Sequence, residues 1–289
     1  MIARTILRSR RPNRLSFECR PVRAATLTLV AGILPLVAFA QGEGGQSAEE
    51  LAKKLSNPIA SLISVPFQAN YDEKIGPARD GHRFTLNIQP VIPFDLNGEW
   101  NLISRTIVPV TDQREIFPDA GHQSGIGDIV QSFFFSPKAA TAGGWIWGAG
   151  PVVLLPTGSD DLLSARKWGT GPTAVLLRQE SGWTYGGLFN HIWSFAGDGD
   201  RSYVSVTYLQ PFLAYTTKDA WTFGLNTEST YDWNAKQWSV PINASVAKLV
   251  RLGKLPVSLG LNARYWAESA DSSPHGWGLR LVVTFLFPA

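Results

Sequence analysis

His122 and Ser124 are one pair of side chains in this sequence whose types and spacing could support nucleophilic catalysis. The imidazole could act as a general base and the hydroxyl as the nucleophile. Residues two apart on a strand face the same way, as such a reaction requires. The residues around them form a Gly-rich stretch, however, and no downstream Asn is placed to orient the imidazole. We interpret the stretch as a polar turn, with catalysis by His122 and Ser124 as the alternative.

Two short acidic segments are the next candidates for chemistry. Asp160-Asp161 and Asp198-Gly199-Asp200 could each hold a divalent cation or bridge lipopolysaccharide phosphates through one. Two carboxylates in a loop are too few for Ca²⁺, which takes about six to eight oxygen ligands. The sequence contains no P-loop, GxSxG or HExxH pattern. We therefore expect solvated loops, no metal site and no cofactor.

Charged and amide side chains recur at alternate positions of several segments, opposite apolar residues. Such residues would face a common polar interior if the segments are strands of a membrane barrel. One interpretation is a permeation path that prefers anions or polar solutes. The other is a set of paired charges that simply fills the interior. The candidate lining residues are Arg83, Asn87, Gln89, Arg105, Asn226, Glu228, Asn262, Arg264 and Arg280, with Arg178 as a further possibility.

The C-terminal stretch, residues 276–287, indicates which element positions these side chains. Trp277, Leu279, Leu281 and Phe285 alternate with smaller or polar residues, although Val282 and Leu286 break the alternation. A strand of ~10 residues, rising ~3.3 Å each and tilted ~40°, spans about 25 Å, the height of an outer-membrane apolar band. We interpret this stretch as the closing strand of a transmembrane barrel.

Eleven further segments have strand character, so the sequence predicts an all-β fold, an antiparallel up-and-down barrel of about 12 strands over residues 58–289. An even number places both chain ends on the periplasmic side, where connections are short. The predicted strands are 59–71, 83–94, 100–110, 127–136, 145–155, 170–179, 183–194, 203–216, 221–231, 239–249, 257–267 and 276–287.

Tryptophans near the predicted strand ends support the barrel, because indole rings prefer the two membrane–water interfaces. One set follows the short connections, and the other lies near the opposite strand ends. The inner set is Trp100, Trp145, Trp183 and Trp221, and the outer set is Trp168, Trp193, Trp233, Trp238, Trp266 and Trp277.

Residues 1–40 have the order of a secretory signal peptide: seven Arg, then an apolar run, then Ala38-Phe39-Ala40. A membrane anchor is the alternative, but the run of ~15 residues is short for a spanning helix. We expect cleavage after Ala40 and export to the bacterial outer membrane. Residues 41–57 would be a periplasmic segment with a short helix, capped by Ser47 and Glu50. We expect this helix to be exposed to solvent, with a position inside the barrel mouth as the alternative.

The mature chain is acidic and contains no cysteine, because Cys19 and seven of the basic residues belong to the leader. Removing seven basic residues and Glu18 from 26 basic and 23 acidic ones leaves 19 and 22. This balance gives no indication of nucleic-acid binding. The expected partners are outer-membrane lipid, lipopolysaccharide, the barrel-assembly machinery through the strand ending at Phe287, and a small-molecule solute.

Two resemblances bear on function. The His-x-Ser spacing is similar to that of outer-membrane phospholipase A, also a twelve-stranded barrel, and would make His122 the base and Ser124 the nucleophile. Most of residues 57–288 resembles a family of bacterial outer-membrane transporters named for the MetA pathway of phenol degradation, some of which are mislabelled neuromedin U. Matching stretches include GPVVLLPTG (150–158), AWTFGLNTESTYDW (220–233) and GWGLRLVVTFLFP (276–288).

The family resemblance implies a transport role, with aromatic or hydrophobic solutes as candidates, and supplies no catalytic residues. We therefore expect a channel or transporter for small solutes and not an enzyme. The alternatives are a lipid hydrolase that uses Ser124 and His122, and a structural barrel whose outer loops bind a ligand.

Overall fold

The computed structural model describes residues 46–287, so the predicted signal peptide lies outside the described residues. Within this range no helix has the length and apolar character needed to cross a membrane. Helix α1, Ala48–Leu55, is followed by fifteen strand segments. These are β1 Ile63–Ile75, β2 Gly81–Ile88, β3 Val91–Asp95, β4 Trp100–Arg114, β5 His122–Ile126, β6 Ile129–Pro137, β7 Trp145–Leu155, β8 Lys167–Glu180, β9 Trp183–Gly197, β10 Ser205–Thr216, β11 Trp221–Thr227, β12 Ser229–Asp232, β13 Gln237–Leu252, β14 Leu255–Glu268 and β15 Gly276–Phe287.

Three pairs of these segments are single barrel strands with a short interruption, so the barrel has twelve strands, as predicted. β2 and β3 are separated by Gln89-Pro90, β5 and β6 by Gly127-Asp128, and β11 and β12 by Glu228. Pro90 lies in the first interruption, and Pro109 and Pro241 lie opposite the other two on β4 and β13, where a proline has no N–H to donate to the sheet. At Gly127-Asp128 the β4 register also shifts by one residue, which is a β-bulge.

The sheet is closed, because β1 pairs antiparallel with β15 and β9 pairs with β10. Ile63 lies opposite Phe287, so both ends of the barrel sequence lie at the same rim, here called the inner rim. Its connections are mostly shorter than those of the opposite, outer rim. Two of them, Ser181-Gly182 and Gly253-Lys254, have only two residues. At Ser181-Gly182 the φ values of 48° and 84° form the left-handed turn that suits a two-residue hairpin.

β15 shows which way the alternating side chains point. Trp277, Leu279 and Leu281 lie on the outer surface and are 68%, 49% and 52% exposed, whereas Arg280 and Thr284 are buried in the interior. The same division runs around the barrel. Apolar side chains cover the outside and polar side chains line the inside, which reverses the arrangement of a water-soluble sandwich.

The segment before the barrel folds into the inner rim, and residues 46–62 are here called the plug. Ser47 and Glu50 form the predicted capping box on α1. Leu51 is only 1% exposed and packs with Leu249 and Leu286. Gln179 donates a hydrogen bond of 2.8 Å to the Lys53 carbonyl. The favoured prediction of a solvent-exposed helix is wrong, and the alternative inside the barrel mouth is correct, because the apolar face of α1 packs on an apolar patch of the barrel interior.

Ile59 extends the plug to the opposite wall. It packs in a second apolar cluster with Ile103, Phe134, Leu177 and Leu188, which all point inward. Strand β1 therefore starts at Ile63 and not at residue 59 as predicted. The two clusters together hold the plug inside the barrel near the inner rim.

The tryptophans largely follow the two predicted belts. Trp183 and Trp221 are exposed at the inner rim, and Trp193 and Trp233 are exposed toward the outer rim. Trp266 differs from the prediction, because it lies on the inward parity of β14 and donates a hydrogen bond of 2.9 Å to Asp72 Oδ1.

Shortening Leu51 to Ala should loosen the plug, since removing a fully buried leucine side chain costs about 2–5 kcal/mol. The expected result is faster trypsin cleavage after Lys53 and Lys54 in the folded protein, by at least about tenfold. Glu49→Gln on the same helix is the control and should cleave at the wild-type rate. Equal protection of Leu51→Ala and wild type would contradict the docked plug.

Candidate permeation site in the barrel interior

An ion-pair network spans the interior and brings together three of the predicted lining residues. Arg280 donates two hydrogen bonds to Glu228, of 2.8 and 2.6 Å. Arg264 donates one of 2.9 Å to Oε2 of the same carboxylate. Both guanidinium groups are more than nine-tenths buried. Such charges are stable only when paired, so Glu228 is the shared counter-ion of two strands, β14 and β15.

Asp72 and Asn70 complete this network, and neither is among the predicted lining residues. Arg264 Nη1 lies 3.0 Å from Asp72 Oδ2, and Arg280 Nε lies 2.6 Å from Asn70 Oδ1. The predicted strand 59–71 ends just before Asp72, but β1 continues to Ile75. The alternation of Gln68, Asn70 and Asp72 was the signal that could have identified them.

Arg83 lies beside this network toward the outer rim. Its Nε donates a hydrogen bond of 2.8 Å to Gln113, whose amide in turn reaches Gln123 and the Leu162 carbonyl. Leu162 belongs to the β7–β8 connection, residues 156–166. This connection therefore packs over the interior at the outer rim.

Asp128 holds the same connection in place. Its carboxylate accepts hydrogen bonds from Ser164 Oγ and the Ala165 N–H, each at 2.7 Å, and from the Gly158 N–H at 3.0 Å. Arg201 adds a contact of 2.6 Å to the Ser164 carbonyl. The bulge at Gly127-Asp128 thus aims a carboxylate at the loop that covers the mouth.

Arg105 lies deeper, closer to the plug, and belongs to a separate group of amides. Arg105 Nη2 donates to Gln89 Oε1 at 3.1 Å, and Gln89 Nε2 donates to Gln68 Oε1 at 2.8 Å. Asn226 accepts from Asn243 at 2.8 Å. Asn87 shares the inward parity of Arg83 and Gln89, and Asn262 is buried on the inward face of β14.

Two cavities of about 270 and 250 Å³ lie between the plug and these polar groups. Arg105, Gln89 and Asn226 line the first, and Asn262 lines the second. Gln68 and Ser245 border both, so the cavities adjoin. Around the interior, Arg83, Arg105, Arg264 and Arg280 face two carboxylates, those of Asp72 and Glu228. The lining therefore carries an excess of positive charge.

Arg178 is not part of the lining. It lies on the outward parity of β8, next to the inner rim, and its Nη2 pairs with Glu180 Oε2 at 2.6 Å. The inward residues of this part of β8 are Leu177 and Gln179, which contact the plug. The prediction for Arg178 is wrong because the inward-facing alternate positions of this strand are those of Leu177 and Gln179, so Arg178 faces outward.

His122 and Ser124 occupy a strand and not the predicted turn. They lie on β5, where Gln123 is buried and its two neighbours are exposed, so both point away from the interior. His122 Nε2 lies 2.7 Å from Asp112 Oδ2 of β4. Asp112 is also directly opposite Ser124 in the sheet. A Ser, a His and an orienting carboxylate therefore share one outward face, although no hydrogen bond joins Ser124 to His122 among the described residues.

The acidic loop residues are engaged within their own loops. Asp161 pairs with Arg166, and Asp160 Oδ1 accepts the Leu162 N–H at 2.8 Å. Asp198 Oδ1 accepts the Asp200 N–H at 3.0 Å. Within residues 46–287 no three His, Cys, Asp or Glu side chains converge in a way that could hold a metal ion.

Comparisons with known proteins establish the fold. No protein-family model and no curated protein matches the chain. Among solved structures it is similar to an outer membrane channel from Pseudomonas putida F1, with a TM-score of 0.61 at 15% identity over 78% of this chain and 94% of that one. Weaker likenesses are to the NanC porin (TM-score 0.48, 10% identity, 78% of this chain and 100% of that one) and to outer membrane phospholipase A from Escherichia coli (0.44, 12%, 84% and 99%). The chain therefore has the closed antiparallel barrel fold of such proteins.

Replacing Glu228 with Gln should destabilise the barrel, because it leaves Arg264 and Arg280 buried without their shared carboxylate. Breaking a buried ion pair in this way costs about 3–5 kcal/mol. The free energy of unfolding in urea, measured in lipid vesicles, would report the loss. Glu180→Gln removes the exposed partner of Arg178 and should cost about 1 kcal/mol or less. Similar losses for the two variants would argue against the network as a stabilising element.

Proposed function

We propose that the protein is an outer-membrane channel for the passive uptake of small solutes. The strongest support is the polar, positively charged lining that surrounds two adjoining cavities inside an apolar-surfaced barrel. An apolar exterior fits lipid, and a polar interior with unfilled volume fits a solute path. Export with cleavage after Ala40, a surrounding of lipid and lipopolysaccharide, and insertion through the strand ending at Phe287 belong to the same proposal.

The plug is the part of the path that has to move. It occupies the inner rim, so a solute that reaches the cavities leaves toward the periplasm only past the plug. The plug is held mainly by two apolar clusters and by hydrogen bonds such as those from Gln179 and Arg251. The Glu228 network is held by several buried charge-assisted bonds, which are stronger. Uptake therefore requires displacement of the plug and leaves the network in place.

Reconstitution in planar bilayers tests the channel. Leu51→Asp places a charge in the apolar contact of the plug and should raise the open probability at least about tenfold over wild type. Glu49→Gln is the matched control and should conduct like wild type. If neither wild type nor Leu51→Asp conducts, the barrel is sealed and its outer loops become the candidate binding surface.

A second candidate function, lipid hydrolysis, is favoured by one observation, the Asp112–His122 contact of 2.7 Å beside Ser124. In this mechanism Asp112 would orient the imidazole, His122 would take the proton of the Ser124 hydroxyl, and Ser124 would attack an ester carbonyl. All three side chains lie on the outer surface, where a lipid ester could approach.

Purified protein should then release fatty acid from phospholipid vesicles, and Ser124→Ala should lower the rate at least about 10³-fold. Ser159→Ala removes a nearby loop hydroxyl and is the control. Turnover that is absent, or equal in Ser124→Ala and wild type, would rule out this function and leave the channel proposal unaffected.

A further inference from the structure

The first of the two cavities has an unusual charge balance, and it is here called the plug–wall cavity. It lies between plug residues 54–62 on one side and strands β1 to β4 and β10 to β13 on the other. Two basic side chains, Lys54 of the plug and Arg105 of the barrel wall, border it, and none of its lining residues is Asp or Glu. A cleft with basic groups on both sides and no carboxylate in its lining favours an anion.

Arg105 is available to a ligand in a way that Arg264 and Arg280 are not, and unlike Arg83 it borders the plug–wall cavity. Arg264 and Arg280 are neutralised by Asp72 and Glu228. Arg105 forms no ion pair within residues 46–287, and its one side-chain hydrogen bond there is the donation to Gln89. Gln89 is itself fixed by Gln68, so the guanidinium is oriented while most of its donors stay free. A fixed fork of donors matches a carboxylate in a bidentate way.

Lys54 supplies the second charge from the plug. It lies in the last turn of α1, and its ammonium group forms no ion pair with any described residue. Its long flexible side chain can adjust to a ligand held by the more rigid Arg105. An anion between the two would connect the plug to the wall.

The remaining lining defines the rest of the ligand. Leu55, Leu62, Val91 and Phe212 provide an apolar surface, and Gln210 and Asn226 provide neutral hydrogen-bonding groups. The volume of about 270 Å³ is at the small end of ligand pockets. A strongly hydrated ion such as phosphate would lose its water against this apolar surface without sufficient donors in return. A ligand with one charged end and a compact apolar body loses less, because the basic groups contact its charge and the apolar surface contacts its body.

We propose that the plug–wall cavity binds a small organic monocarboxylate, with its carboxylate between Arg105 and Lys54 and its apolar body against Phe212 and Val91. This proposal rests on the channel function and names its solute class. Because the ligand touches both plug and wall, bound ligand and docked plug stabilise each other.

Calorimetric titration of the mature protein in detergent tests the site with three probes. Cyclohexanecarboxylate should bind at least about tenfold more tightly than its neutral amide, since the amide lacks the charge that Arg105 recognises. It should also bind more tightly than acetate, which lacks the apolar body. Equal binding of acid and amide by the wild-type protein would overturn the proposal without any variant.

Variants then locate the site. Arg105→Gln and Lys54→Gln should each weaken cyclohexanecarboxylate binding, Arg105→Gln by about tenfold or more, and leave the amide unaffected. Lys53→Gln and Arg178→Gln are matched controls outside the cavity and should bind like wild type. If Arg105→Gln does not fold, Arg105→Lys takes its place, because it keeps the charge and loses only the fork. For the site to stand, its loss of cyclohexanecarboxylate affinity should be smaller than the loss caused by Lys54→Gln, measured against Lys53→Gln.

Conductance of the same preparations separates the two proposals. Conductance without carboxylate-specific binding overturns the site and keeps the channel. Carboxylate binding that depends on Arg105, in a barrel that does not conduct, keeps the site and overturns the channel.

Discussion

Closure of the sheet between β1 and β15 is the constraint from which the rest of the structure follows. An open sheet leaves a row of unpaired N–H and C=O groups at each edge, and a closed one does not. Because the sheet is closed, every strand has one set of side chains inside the barrel and one set outside. The inside set is too polar to pack as a dry core. It must either pair internally, as Glu228 does with Arg264 and Arg280, or face cavities, as Arg105 does.

These two solutions occupy different depths of the barrel. The ion pairs of Asp72 and Glu228 lie toward the outer rim below the β7–β8 connection, whereas Arg105 lies nearer the plug. This difference in partners distinguishes interior arginines that stabilise the barrel from one that could bind a solute. A guanidinium with two carboxylate partners stabilises the wall, and one with a single neutral amide partner remains open to a solute.

The fold was largely predictable because lipid imposes a simple alternation, and β15 shows where that prediction stopped. Its two exceptions, Val282 and Leu286, are apolar residues on the polar face. In the structure Leu286 packs on Leu51 of the plug, and Val282 lines the second cavity. Leu177 and Leu188 have the same explanation, since they contact Ile59. An apolar residue that breaks the alternation marks a contact with another part of the chain, and alternation alone cannot say which part. Arg178 was misplaced because it lies near a strand end, where the alternation is hard to count. Trp266 was assigned to the outer belt by its position near a strand end, although it shares the inward parity of Asn262 and Arg264.

The position of the plug in the chain has a consequence for biogenesis. Residues 46–62 are synthesised before any strand, yet their partners are spread from Ile103 of β4 to Leu286 of β15. These contacts join distant parts of the sequence, and such contacts form slowly because long segments must first be brought together. The apolar face of α1 is therefore covered completely only when the last hairpin is in place, so a segment that precedes every strand acquires its native surroundings last.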